Sequence, residues 1–286
     1  MAFQSLSESF KILRHPVIWI AGLLCGLVAG IQIYFGLSGG AAAFYAERIS
    51  IFWMIVYPFF IAATYGAIKS DDYSLKGYFS SGYAGYFRVL LPTVLIMTFV
   101  MIVAFVMATP AAISGVLDPL MVAFSLFFVI LPLFFFAFFY DTAAVFDDLK
   151  VFECIKKSFV GTFAKPFLVL QFFFVLILIF LVIGAGFMMI WTGILADQFE
   201  PLLLMSQDEL NQMAENPESL VALLGDYGLK MTALMYFLGV FVFITILLPY
   251  KAVFYKNHIS EAKIELNIPE TEQGEYDEKG RWYKYS

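Results

Sequence analysis

Two acidic pairs, Asp71-Asp72 and Asp147-Asp148, stand 76 positions apart (71 to 147) in a chain with few charges. Paired carboxylates are what general acid–base work or a hard divalent cation requires. If internal symmetry brought all four together, they could serve an enzyme acting on lipids at the membrane surface. The neighbouring residues sharpen no ligand pattern, however, and carboxylates suit the N-terminus of a helix. Capping of surface helices is therefore the preferred reading, with no metal site and no cofactor expected. The two histidines, His15 and His258, carry no paired motif, and there is neither a nucleophile elbow nor a phosphate-binding glycine loop. These residues point away from an enzyme.

The remaining polar candidates lie inside apolar stretches. Gln32 and Gln171 are the strongest of them, followed by hydroxyls such as Thr64, Thr98, Ser125 and Thr245. The glutamines are expected to bond to neighbouring helices or to line a polar cavity. No Asp, Glu, Lys, Arg or His is expected near the centre of a span, which argues against a pump or antiporter. Gly22, Gly26 and Gly30 make two overlapping small-xxx-small motifs on one helical stripe, a signature of close helix packing. Packing within the chain is preferred to a homodimer seam.

The elements that must position these residues are membrane spans. The 286 residues are 62% hydrophobic and only 14% charged, with a mean hydropathy of +0.84, too little charge to wet a soluble surface. Apolar blocks long enough to cross a bilayer as helices lie near 16–37, 49–68, 87–109, 119–140, 166–196 and 231–255. They do not alternate and are too long for barrel strands. An all-α, six-span membrane protein is the expectation. With a cytoplasmic N-terminus, every one of the 17 basic residues except Arg48 and Lys230 falls inside, which orients both termini to the cytoplasm. The first block runs about 20 residues, longer than a secretory h-region, and reads as an uncleaved span. Cys25 and Cys154 belong to different layers and are not expected to pair.

The spans fall into three units, near 1–70, 71–146 and 147–256, followed by a cytoplasmic tail, 257–286. Each unit begins with an amphipathic segment, near 3–14, 73–87 and 149–163, expected to lie on the inner membrane surface as a helix. Phe3, Leu6, Phe10 and Leu13 set the first pattern, and Phe152, Ile155, Phe159 and Phe163 the third. Gly85 precedes Gly161, and Phe87 precedes Phe163, by the same 76 positions as the acidic pairs. Prolines recur as well, at Pro16, Pro92 and Pro166 near the start of odd spans and at Pro58, Pro132 and Pro249 within even ones. The third unit carries an acidic outer insertion, 197–229. Ser206-Gln207-Asp208-Glu209 fits a capping box and Asn216-Pro217 a second helix start, so two short outer helices are expected. The tail is too short for an independent domain.

The opening Met1-Ala-Phe-Gln-Ser-Leu with Lys11 through Pro16, and Tyr140-Asp-Thr-Ala-Ala-Val-Phe-Asp-Asp148 with Lys156-Lys157-Ser-Phe159, resemble a family of archaeal multi-span proteins. That family is distantly similar to the membrane domain attached to some glycerophosphodiester phosphodiesterases. The resemblance covers roughly residues 1–256 through loose, mostly hydrophobic motifs. It implies a cell-membrane protein of unassigned activity and carries over no catalytic residue. The functional expectation is a scaffold or accessory subunit without catalysis. The alternative is a carrier or binder of a lipid or other apolar molecule, in a chamber lined by some of the 34 phenylalanines. The expected partners are membrane lipids, other membrane proteins or a second copy of the chain, and no nucleic acid.

Overall fold

The computed structural model describes residues 1–113, 119–207, 211, 213, 217–261, 274–276 and 282–284. The membrane domain is all-helical, with six helical stretches long and apolar enough to cross a bilayer. In chain order these are α1 (Ala2–Ile12), α2 (Trp19–Ser38), α3 (Gly40–Ser70), α4 (Leu75–Ile113), α5 (Pro119–Ala137), α6 (Tyr140–Phe146), α7 (Val151–Ala164), α8 (Pro166–Ile194), α9 (Ala196–Leu204) and α10 (Pro217–Phe254). A 3-10 turn, Pro16–Ile18, leads into α2, and a π-helical turn, Tyr255–Ile259, closes α10. The tail carries a short antiparallel pair, Gly274–Tyr276 against Trp282–Lys284. Asp208 and Glu209 of the expected capping box lie outside the described residues.

Proline position decides where the amphipathic segments separate from their spans. His15 and Lys165 precede prolines and take non-helical backbone (φ −94, ψ 110 and φ −136, ψ 55), ending the helices before them. In the second unit the residue 76 positions before Pro166 is Leu90, and the proline comes two residues later at Pro92. Nothing interrupts the backbone there. The second surface helix expected near 73–87 is therefore the first part of α4, continuous with its span. The acidic insertion holds α9, which ends before the expected capping box at Ser206, and the start of α10 at the expected Pro217 boundary, before Gly225, whose φ of 60 breaks the helix direction where an L side chain would be strained.

Small residues bring the backbones together. Gly22, Gly26 and Gly30 of α2 face α10. A Cβ added at Gly22 would stand 2.8 Å from the Phe241 carbonyl oxygen, one at Gly26 3.0 Å from the Phe241 nitrogen, and one at Gly30 2.9 Å from the Ala233 oxygen. On the other side of the bundle Gly82 and Gly85 of α4 sit on Phe59 and Ala62 of α3. α1 packs its small face, Ala2, Ser5 and Ser9, against the end of α10 and leaves Phe3 and Phe10 exposed.

Burial is uneven along the spans. The largest enclosed side chains, including Tyr65, Tyr78, Phe139, Phe172, Tyr250 and Tyr255, gather at the end of the bundle that carries α1, α6 and α7. Toward the far end the spans diverge. Beyond Thr93, α4 keeps only a narrow half-buried stripe, with Met101 71% and Phe105 74% exposed. α8 keeps a similar stripe, through which Phe180 meets Phe243 and Trp191 donates to Thr232 (2.9 Å) on α10. α5 and the turn after it meet α8 at the α7 end, through Phe134, Phe135 and Phe138 against Phe172 and Phe173, while Phe124, Phe127 and Phe128 farther along are exposed. Among the described residues the far halves of α4 and α5 make little contact with α8 and α10 and keep their apolar faces exposed.

Candidate functional site

The span holding α5 and α6 is broken at Phe138 and Phe139. A break inside a membrane domain frees backbone groups that must find partners. Ser158 of α7 supplies them: its hydroxyl accepts from the Phe139 N–H (2.9 Å) and donates to the Phe136 carbonyl (2.7 Å). Thr142 adds a bond from its own hydroxyl to the Phe139 carbonyl (2.8 Å). The stitched break aims Asp141, at the start of α6, into the protein interior.

There it meets Lys251 of α10. The ammonium lies 2.7 Å from Oδ1 and 2.8 Å from Oδ2 of Asp141, both side chains being 7% exposed. The Thr142 backbone N–H also donates to Oδ1 (2.7 Å), and the Phe138 ring covers the ammonium at 4.1 Å. Each charge has its counter-charge and further partners, the condition under which a buried pair survives. Around it stand tyrosines. The Tyr65 hydroxyl faces Asp141 outside hydrogen-bond geometry and has no partner, and the Tyr250 hydroxyl is likewise buried and unpartnered. Tyr57, half-buried on α3, places its hydroxyl beside Cys25 of α2. Tyr140, also half-buried, shares a hydrogen bond with Thr93 of α4 (2.7 Å). This polar cluster sits where α3, α4, α6 and α10 converge.

The sequence expectation concerned the centres of the spans, and Asp141 and Lys251 stand near span ends. Lys251, counted from sequence among the basic residues on the inner side, is enclosed and paired because α10 continues past Pro249 and carries it into the interior. The signal available in sequence was one acid and one base in apolar surroundings, Asp141 after Leu133–Tyr140 and Lys251 after Leu247–Tyr250. The glutamines occupy other places. Gln32 donates to Ser50 of α3 (2.8 Å) on the exposed side of the α2–α3 contact, and Gln171 is exposed on α8. Neither lies at the polar cluster.

The acidic pairs also differ from their expected capping role. Asp71 ends α3 in the left-handed conformation (φ 56), and Asp72 accepts from the Ser74 N–H (3.0 Å) in a local turn. Ser74 is the residue that caps α4, accepting from the Gly77 N–H (3.0 Å). Asp147 accepts from the Tyr255 hydroxyl (2.5 Å), and Asp148 accepts from Lys69 (2.6 Å) and from Arg88. Capping loses to these bonds because a carboxylate gains more from a cation or phenol than from one amide, and Ser74 and Glu153 already accept from the amides at the starts of α4 and α7. The two pairs do not combine: among the described residues no three His, Cys, Asp or Glu groups come together as a metal site.

The Lys69 hydrogen bond, opposed by partial desolvation and assisted by Arg88, holds the Asp148 carboxyl below its ordinary range. With the folded value below the unfolded one of about 3.9, this network contributes fully above that pH and is lost as pH falls through the folded value. Asp148→Asn is expected to flatten the fall in melting temperature between about pH 5 and about pH 3. A parent and variant with identical acid slopes would contradict this.

Two open apolar depressions lie elsewhere, one of about 510 Å³ among Phe35, Tyr45, Arg48, Ile49 and Phe52, the other of about 610 Å³ along α8 from Ala185 to Ala196. Neither presents a buried charge. The polar cluster is the place in the described residues where buried charge and orphaned hydroxyls coincide. Compared with known proteins, the chain matches no family model, no curated protein and no solved structure.

Proposed function

We propose that this multi-pass membrane protein works by binding rather than by covalent catalysis, accommodating a lipid or other apolar molecule against the exposed faces of α4 and α5. What supports the reading is the exposure of those apolar faces in the far halves of both helices. In a bilayer such faces meet chains from the membrane. A second reading, that of a scaffold or accessory subunit, draws on the same exposed faces as seats for the spans of another protein. The two separate on what accompanies the chain in mild detergent. Lipid analysis and pull-down from the same preparation are expected to recover a defined lipid at near one per chain. Stoichiometric protein with no retained lipid would replace this reading by the second.

We further place the protein in the cell membrane with both termini in the cytoplasm. The charge distribution supports this, as does the resemblance to the archaeal membrane family. Cys25 and Cys154 are both buried, and burial pushes the Cys154 thiol up to about 12, so the native thiols are silent toward maleimide near neutral pH. On that background Ala41→Cys is expected to label from outside the cell and Ser80→Cys only after permeabilisation. Labelling of Ser80→Cys on intact cells would reverse the topology.

A further inference from the structure

The helices α1 and α7 are amphipathic in the reverse of the sense that a water-facing helix requires. α1 buries Ala2, Ser5 and Ser9 and leaves Phe3 and Phe10 exposed. α7 buries Cys154, Ser158, Gly161 and Thr162 and leaves Phe152 and Phe163 exposed. Residues separated by two or three whole turns share a helix face, so each exposed pair forms one stripe. Both helices stand at the same end of the bundle, against the turn that closes α10. Ser5 shares a hydrogen bond with His258 (3.3 Å), Asn257 donates to Glu8 (2.8 Å), and Lys165, directly after α7, donates to the His258 carbonyl (2.7 Å).

Each stripe runs on into a membrane-spanning element. Phe163 stacks on Phe136 of α5, with ring centroids 4.4 Å apart. Trp19, exposed at the start of α2, donates its indole N–H to the Leu13 carbonyl just past α1 (2.9 Å). Tryptophan in that position is the ordinary anchor of a span at the membrane–water boundary. Basic side chains border the stripes. Lys11 and Arg14 are exposed near Phe10, and Lys156 is exposed one turn after Phe152 on the same face. None of these three forms an ion pair among the described residues. The one acid on each helix is turned to another bond: Glu8 accepts from Asn257 and Glu153 from the Lys150 N–H. A face that is aromatic at its centre and cationic at its border matches the acyl–headgroup boundary of a bilayer carrying negative charge.

We infer that the exposed faces of α1 and α7 form a docking surface for anionic phospholipids in the leaflet at that end of the bundle. Phe3, Phe10, Phe152 and Phe163 enter the acyl boundary, and Lys11, Arg14 and Lys156 meet the phosphates. The surface is separate from the far halves of α4 and α5, and neither reading depends on the other.

The test uses the full chain in nanodiscs of phosphatidylcholine and phosphatidylglycerol in equal amounts, two phospholipids that share a phosphodiester and differ in net charge. After gentle extraction the phospholipids retained per chain are counted by mass spectrometry. Phosphatidylglycerol is expected to exceed phosphatidylcholine about fivefold at low salt, the contribution of one basic residue near an anionic surface, and to lose most of that excess at about 0.5 M salt. Lys11→Gln combined with Arg14→Gln and Lys156→Gln is expected to bring the two lipids close to parity with an unchanged gel-filtration profile. A second measurement reads the aromatic stripes and leaves the charges in place. Phe10→Cys and Phe152→Cys, each carrying a nitroxide in the same nanodiscs, are expected to collide more often with oxygen than with a water-soluble nickel chelate. Equal retention of the two lipids by the parent chain would overturn the inference, as would an excess that survives the triple variant. A nitroxide at either position that meets the nickel chelate more often than oxygen would overturn it as well.

Discussion

Lys251→Met, which deletes the ammonium and keeps the Asp141 carboxylate, is expected to destabilise the folded chain by about 3–5 kcal/mol. The cost arises less from the lost attraction than from what remains. A carboxylate 7% exposed inside a membrane domain would have the Thr142 backbone N–H as its remaining hydrogen-bond donor. Asp141→Asn is expected to be comparably harmful, because it strands the ammonium. The double variant, Asp141→Leu with Lys251→Met, should recover most of the loss, since a buried pair replaced by apolar side chains of similar volume is often close to neutral. Unfolding in mixed detergent micelles, followed by tryptophan fluorescence, measures all three. If the double variant were as damaged as the singles combined, the two side chains would be acting independently and the pair would not be the unit described.

The second large effect lies on the opposite side of the bundle. Gly26→Leu is expected to cost about 1–3 kcal/mol and to loosen α2 from α10, because its Cβ would already stand 3.0 Å from the Phe241 backbone nitrogen before the rest of the side chain is placed. Backbone cannot yield as a side chain can, and in a bilayer close approach of helices is the main source of their attraction. Gly22→Val adds to the same strain. Gly36, on the same helix with nothing within 4 Å of an added Cβ, provides the contrast. Gly36→Ala is expected to be neutral or to stabilise by about 0.5–1 kcal/mol through reduced chain entropy. Size-exclusion profiles and thermal stability in detergent check the pair. Equal tolerance at Gly26 and Gly36 would mean that α2 and α10 are not in backbone contact.

The spans, their number and the breaks before Pro16 and Pro166 were legible in the residues themselves. Twenty apolar residues can satisfy their backbone in a bilayer only as a helix, and a proline restricts the residue before it wherever it stands. The shift from Pro166 to Pro92 between corresponding segments was visible as well, and it accounts for α4 running unbroken through what periodicity alone marks as a separate surface helix. The glycine stripe announced a close contact. Only the tertiary structure chose α10, 215 positions away in chain number at its Phe241 from Gly26, as the helix in contact (26 to 241). The polar cluster belongs wholly to that second category. Asp141 and Lys251 are separated by 110 positions, and each by itself reads as a charge at the end of a span, free to reach water. Whether such a residue is solvated or enclosed depends on the elements packed around it: here a broken span stitched by Ser158, a ring from Phe138 and three converging helices. Local sequence sets periodicity and backbone preference within a few turns, whereas burial and pairing are properties of surfaces that meet only after the chain has folded.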